Sequence, residues 1–388
     1  MLQYIRKTHH KQGVVYVNNR ERVRAILHYE PVDRMPVVAF GYWRQTLQKW
    51  AKEGHITQEQ CDGYGDNSPA DQEIMAKLGF DFNWNCRLDA RTELLPQFPR
   101  EVLSREADGS VIERDPNGLI VRNKPGVVSI SSEIGTTLTD REAWEEHYLP
   151  RLQWRAERIP TKAIADALAT DAQRDIPLAL YCGSLYGFVR NLMGVEELSY
   201  MEVDDEDLFA EIIDTCARIC TIATRHLLAS GVQFDYAHYW EDICFKNGPL
   251  VKPSTFARYV GPHYKRMTQE INAHGIDIVS LDCDGCIDLL LPIWLENGVN
   301  TMFPIEVGTW NASIAPWRAQ YGRALRGVGG MDKRVFAQDK AAVDREIERL
   351  RPLVELGGYI PCPDHRIAPD ANFELVAYYC ERFRHVFG

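Results

Sequence analysis

Residues 277–306 read DIVSLDCDGCIDLLLPIWLENGVNTMFPIE. Two short apolar runs, 277–282 and 300–305, each close on an acid, Asp282 and Glu306, with an amphipathic stretch between them. A strand buried on both faces reads as a short apolar run, and a helix is the usual return to the start of the next parallel strand. The same kind of run recurs at 35–40, 80–85, 178–182, 233–238, 325–329 and 358–362. Helical periodicity marks 208–230 and 340–356, and Pro253-Ser254 opens a further helix over about 255–274. Eight strands with helices between many of them predict an α/β fold, a (β/α)8 TIM-like barrel spanning residues 1–388 as one domain. One region breaks the alternation. Residues 91–137 hold short alternating segments around Asp108-Gly109 and Asn117-Gly118, dipeptides that supply the positive φ of tight turns. They predict a β-hairpin insertion after the second strand.

Composition narrows the function. The chain has 388 residues, is 45% hydrophobic and carries a formal charge of −11, which argues against a general phosphate-backbone binder and so against nucleic acid. No apolar run reaches 18 residues, so no membrane span is expected. Residues 1–14 are polar and basic without the apolar core of a secretory signal, and 1–18 read as an arm or as a contact in a homo-oligomer. Ten scattered cysteines fit reduced thiols in a cytoplasmic protein. Cys216 and Cys220 share a face of an amphipathic helix and read as packing. Cys283 and Cys286 have no second pair at structural-zinc spacing.

In a barrel of this kind, polar residues at strand C-termini face the active site. Five consecutive strand ends carry them here: His238-Tyr239-Trp240-Glu241-Asp242, Asp282-Cys283-Asp284-Gly285, Pro304-Ile305-Glu306, Gly329-Gly330-Met331-Asp332 and Pro361-Cys362-Pro363-Asp364-His365-Arg366. Each has a plainer reading alone. An acid after a strand is often a helix N-cap, which suits Asp332 and Asp284, and a lone His238 is more often a satisfied core histidine. Together they make the argument, because carboxylates converging on one mouth need a cation, shared protons or a basic partner such as Arg366 or Arg44. Tyr42, Trp43, Tyr181, Tyr186, Tyr239 and Trp240 also lie near strand ends, as walls for a flat apolar substrate or as packing. No glycine-rich phosphate motif occurs in a strand–loop–helix setting.

Several stretches resemble one family. They are Asn19-Arg20-Glu21-Arg22-Val23, Tyr29-Glu30-Pro31-Val32-Asp33-Arg34-Met35-Pro36, Met193-Gly194-Val195-Glu196, and Asn247-Gly248-Pro249 with Pro253. Gly329-Gly330-Met331-Asp332-Lys333 and Gly357-Gly358-Tyr359-Ile360-Pro361 with Asp364-His365 complete the set. On these motifs the chain resembles the uroporphyrinogen decarboxylase superfamily along nearly its whole length. True decarboxylases carry Arg-Gln-Ala-Gly-Arg after the first strand. Here Trp43-Arg44-Gln45-Thr46-Leu47 lacks the second arginine, which counts against a many-carboxylate tetrapyrrole. The resemblance is closer to the corrinoid-dependent methyltransferases, which hold zinc with His-x-Cys after the fifth strand and a Cys on the last. Zinc barrels that make methionine add a glutamate. The matching positions here are Asp282, Asp284, Glu306 and Cys362, a harder and more anionic set, with His365 or His238 as substitute nitrogen ligands.

The resemblance thus implies an enzyme that moves a methyl group from a small O-, N- or S-methyl donor to a corrinoid carried by a partner protein. A metal, zinc, at Asp282, Asp284, Glu306 and Cys362 would activate the donor heteroatom. His365, Glu241 and His238 are the catalytic candidates, the first two as proton donors. Tyr42, Arg44, Tyr186, Tyr239 and Trp240 are the candidate substrate contacts. The alternatives are a metal-free decarboxylase or lyase that anchors a small carboxylate on Arg44, and a binding member without turnover.

Overall fold

The computed structural model describes residues 17–124 and 131–388. Most of the expected arm (1–16) and part of the expected insertion (125–130) therefore lie outside the described residues. The first strands are β1 (Val38–Ala39), β2 (Phe82–Asn83) and β3 (Arg87–Leu88). A second group follows, β4 (Glu101–Arg105), β5 (Val111–Arg114), β6 (Leu119–Asn123) and β7 (Ser132–Thr136). Then come β8 (Ala179–Tyr181), β9 (Tyr236–Trp240), the short pair β10 (Cys244–Phe245) and β11 (Gly248–Pro249), β12 (Val279–Asp282), β13 (Thr301–Ile305), β14 (Arg326–Met331) and β15 (Tyr359–Pro363).

Seven of these form one parallel sheet in the order β15-β14-β13-β12-β9-β8-β3. The strand expected at 80–85 is followed by a second piece past its end. Phe82–Asn83 pairs with β1, whereas Arg87–Leu88 pairs with β8, so the second strand position changes partner midway. At the other edge, a parallel bridge joins Tyr42 to Ile367 just beyond β15. Between β3 and β8 the chain makes a separate four-stranded antiparallel sheet, β4-β5-β6-β7. Both expected turns are there, with Gly109 at φ 82° and Gly118 at φ 89°. Asp108 accepts from Ser110 N, and Asp115 from Asn117 N and Leu119 N, the local bonds that let Asp favour turns. The Thr136 hydroxyl donates to the Leu192 carbonyl at 2.6 Å, fastening this sheet to the helix Tyr186–Met193.

Helices cover the parallel sheet for reasons visible in the chain. The helix Glu206–Leu228 starts where Asp205 accepts from Leu208 N, holds Glu206 and Asp207 in its first turn, and buries one face that includes Cys216 and Cys220. Acids at the start and basic residues at the end suit the helix dipole. All ten cysteines are free thiols. Among the described residues no helix is long and apolar enough to cross a membrane.

Strand parity decides what reaches the interior. Along β9, Tyr236, His238 and Trp240 alternate with Ala237 and Tyr239. The first set faces inward: Tyr236 stacks on Trp84 at 4.5 Å, and His238 lies 6.0 Å from Phe303. Tyr239 faces the helix Gly261–Ala273, 4.8 Å from the Tyr264 ring. In register with β9, Ser280 sits opposite His238 and Asp282 opposite Trp240.

Candidate active site at the strand ends

The C-terminal ends of the parallel strands gather a dense set of ionisable groups around Asp284. One Asp284 oxygen lies 3.2 Å from His365 Nε2, and the other is buried with no hydrogen-bond partner. Asp282 is buried. Burial, reinforced by Asp284, pushes its carboxyl well above the ordinary range, against the pull of Arg87 and Arg366. Burial and the same Asp284 charge raise Glu306 and Asp242. Asp364 is raised by burial, and Lys333 opposes that shift. Both arginines nearby already have an acid. Arg366 makes a bidentate pair with Asp66 at 2.9 and 2.5 Å, and Arg87 meets Asp89 at 3.0 Å while lying over the Tyr181 ring at 4.4 Å. A cavity of about 390 Å³ opens beside Arg87, lined by Asp89, Tyr181, Ser184, Phe188 and Trp240. A larger one of about 760 Å³ lies on the flank, against the helices Pro69–Leu78 and Thr161–Thr170, and the mouth acids are not among its walls.

The loops that carry these groups are locked to one another. Glu306 accepts from Gly285 N at 2.6 Å and from the Thr309 hydroxyl at 2.7 Å. Asp364 accepts from Gly308 N at 2.6 Å and from Lys333 N at 3.3 Å. Gly285 has φ 86°, and a Cβ there would run into the Cys244 carbonyl, so the turn that presents Asp284 requires glycine.

The sequence-derived candidates divide accordingly. Asp282, Asp284, Glu306 and His365 come together. Trp240 lines the cavity beside Arg87, whose walls do not include these four. His238 is buried just below, 1% exposed, with Nδ1 3.3 Å from the Ser280 hydroxyl and Nε2 unpartnered. Its burial, with Arg87 nearby, lowers its pKa to about 3, so the ring is neutral. Cys362 is not part of the group. Its thiol is fully buried, donates to the Pro363 carbonyl at 3.4 Å, and Asp364 is the charge that acts on it. Among the described residues no three His, Cys, Asp or Glu side chains gather so as to hold a metal ion. The placement of Asp282, Asp284, Glu306 and Cys362 therefore does not fit a zinc set.

Glu241 also has other work. It is fully buried, and its carboxylate accepts from Leu185 N at 3.0 Å, Gly187 N at 2.5 Å, the Ser184 hydroxyl and the Tyr264 hydroxyl. That anchors the start of the helix Tyr186–Met193, where a Cβ on Gly187 would strike the Glu241 backbone. A proton donor so enclosed does not reach the mouth. Glu241→Ala is expected to cost about 2–4 kcal/mol, because two backbone N–H groups and two hydroxyls lose a buried acceptor. Urea unfolding midpoints measure this. An unchanged midpoint would overturn the anchoring role.

Four candidate substrate contacts lie outside the mouth. Tyr42 is buried against Trp50 and Tyr64, and Tyr186 packs toward Phe209 and Phe256. Tyr239 faces the helical layer, and Arg44 is solvent-exposed and pairs with Asp62 at 3.0 Å. Position along a strand end was legible for these residues, but side-chain direction was not. Arg87 escaped the sequence reading because it lies past the apolar run at 80–85, in a second strand segment that periodicity does not mark.

The family model for uroporphyrinogen decarboxylase (URO-D) matches residues 138–386. The chain belongs to the uroporphyrinogen decarboxylase family. That span holds β8, β9 and β12 to β15, and with them the ring of acids around Asp284. Among solved structures, a methyltransferase from Methanosarcina mazei is similar, with TM-score 0.57 and 15% identity over 96% of this chain and 99% of that one. At that identity the likeness speaks for the shared fold. A putative vitamin-B12 independent methionine synthase from Listeria monocytogenes matches at TM-score 0.35 and 13% identity, over 59% of this chain and 70% of that one. No curated protein matches the chain.

Proposed function

We propose that this family member is a methyltransferase that takes a methyl group from a small donor, with a corrinoid on a partner protein as acceptor. The proposal takes the parallel strands as one (β/α)8 barrel. In it β1 meets both β2 and the segment after β15, and residues 91–137 are an insertion beside the mouth. The observation that carries the reading is the His365–Asp284 pair next to the enclosed Asp282. Demethylation leaves negative charge on the donor heteroatom, and a proton delivered there lowers the barrier. His365, oriented by Asp284, is placed to deliver it. Asp282, which burial and the Asp284 charge push toward its protonated form, adds a hydrogen-bond donor. Phe40 and Trp43 flank His365, with ring centroids 5.4 and 6.0 Å away, and shelter the site from water. The fold shared with the Methanosarcina methyltransferase supports the choice of reaction. Pairing of Arg87 and Arg366 with acids counts against a polyanionic tetrapyrrole.

The test is to mix the protein with cob(I)alamin and a panel of methyl ethers, methylamines and methyl thioethers. Loss of the cob(I)alamin absorption with a matching demethylated product is the expected result. No turnover with any class, under conditions where the protein is folded, would sink the proposal. A second reading keeps one observation of its own. Arg87 and Arg366 both act on Asp282 and could clamp a small carboxylate for decarboxylation. Carbon dioxide release from small carboxylic acids, without methyl transfer, would favour it.

A further inference from the structure

Lys333 stands out among the groups at the mouth. It follows β14, and its side chain is mostly enclosed. Asp364, Glu306 and Asp284 all act on it, yet among the described residues its ammonium has no ion pair and no hydrogen bond. These acids are committed elsewhere. Asp364 holds two backbone N–H groups, and Glu306 holds Gly285 N and Thr309. Asp284 gives one oxygen to His365 and keeps the other buried and unpartnered. The same side of the mouth thus offers an unused donor and an unused acceptor, both fixed to locked loops.

Charge sorts the ligands that could use both. A carboxylate would suit Lys333 but meet Asp284, Glu306 and Asp364. An ammonium would suit the acids but oppose Lys333. A neutral group that both accepts and donates satisfies the two at once. We infer that the substrate carries a hydroxyl held between Lys333 and Asp284, accepting from the ammonium and donating to the free carboxylate oxygen. This rests on the mouth being the substrate site and adds a determinant of which substrates enter. A buried polar pair left unmatched penalises an analogue without the hydroxyl.

Phenol and toluene make a matched pair of probes, equal in shape and differing in the hydroxyl. Benzoate and benzylammonium supply the two charges. Binding to the full chain is read by quenching of tryptophan fluorescence, with Trp43 and Trp240 near the site. Phenol is expected to bind about tenfold or more tighter than toluene and than either ion, the size of effect a matched buried hydrogen bond gives. Lys333→Met should bring phenol to within about twofold of toluene, with an unchanged melting temperature. Lys333→Gln, which still donates, should restore part of the preference. The inference fails if phenol does not bind saturably, if toluene or benzoate binds as well, or if Lys333→Met keeps the preference. Methyl transfer plays no part in this readout. Phenol selectivity without turnover would therefore count against the proposed reaction and leave the hydroxyl site standing.

Discussion

Asp282→Asn is expected to melt at a higher temperature than the wild type, and His365→Gln to lose most of the activity. The wild-type carboxyl is enclosed, and Asp284 repels its charge. Its folded-state pKa is raised, so the unfolded chain gives up this proton at lower pH than the folded one. Above the ordinary carboxyl range the folded state therefore carries a cost, which grows until pH reaches the raised value and stays constant above it. An amide has the same shape and no charge to suppress. Removing such a burden at a functional site commonly returns about 1–2 kcal/mol, and for a chain of this size that is about 2–4 °C in melting temperature. His365→Gln removes the proton donor of the proposed reaction, and loss of acid–base assistance costs about 10²–10⁴-fold in rate. Calorimetry and the cob(I)alamin assay read the two effects. An Asp282→Asn variant that melts lower contradicts the assignment of a strained buried acid, and a His365→Gln variant that keeps full turnover contradicts the acid role of His365.

The second expected result concerns acid. His238 has a folded pKa of about 3, far below the ordinary imidazole value near 6.5. Below pH 6.5 the unfolded chain gains a proton here that the folded chain refuses. Stability from this residue is complete above 6.5 and is lost progressively as pH falls toward 3. Between pH 6.5 and 4.5 the loss is about 3 kcal/mol, at roughly 1.4 kcal/mol per pH unit. His238→Phe fills similar space without titrating, so its acid limb should be flatter by that amount. Urea midpoints of both proteins at pH 7 and pH 4.5 measure it. Parallel pH dependence in the two would show that His238 is hydrated or already protonated.

The architecture was legible because burial on two faces writes itself as apolar runs. Residues 277–282 and 300–305 were expected as strands, and Val279–Asp282 and Thr301–Ile305 are strands. The run at 80–85 marked Phe82–Asn83 but not the second piece, Arg87–Leu88, which lies past it and pairs with β8. For the site, the acids at strand ends could be found from sequence. Which way each side chain turns could not. His238 and Tyr239 are adjacent in the chain and face opposite sides of the sheet. Cys362 was assigned by analogy of position, but at that position the thiol is closed off by its own strand and by packing. Lys333 needed three dimensions, since the acids around it come from three other loops.

The carboxylates that tie Gly285 to Glu306, Lys333 to Asp364, and the Tyr186–Met193 helix to Glu241 each reach from one loop to a neighbour. The rim is therefore not a set of interchangeable modules. Grafting one loop from a relative would strand its neighbour's acid or its neighbour's N–H, so substrate range in such a fold should change by paired exchanges across adjacent loops rather than one loop at a time.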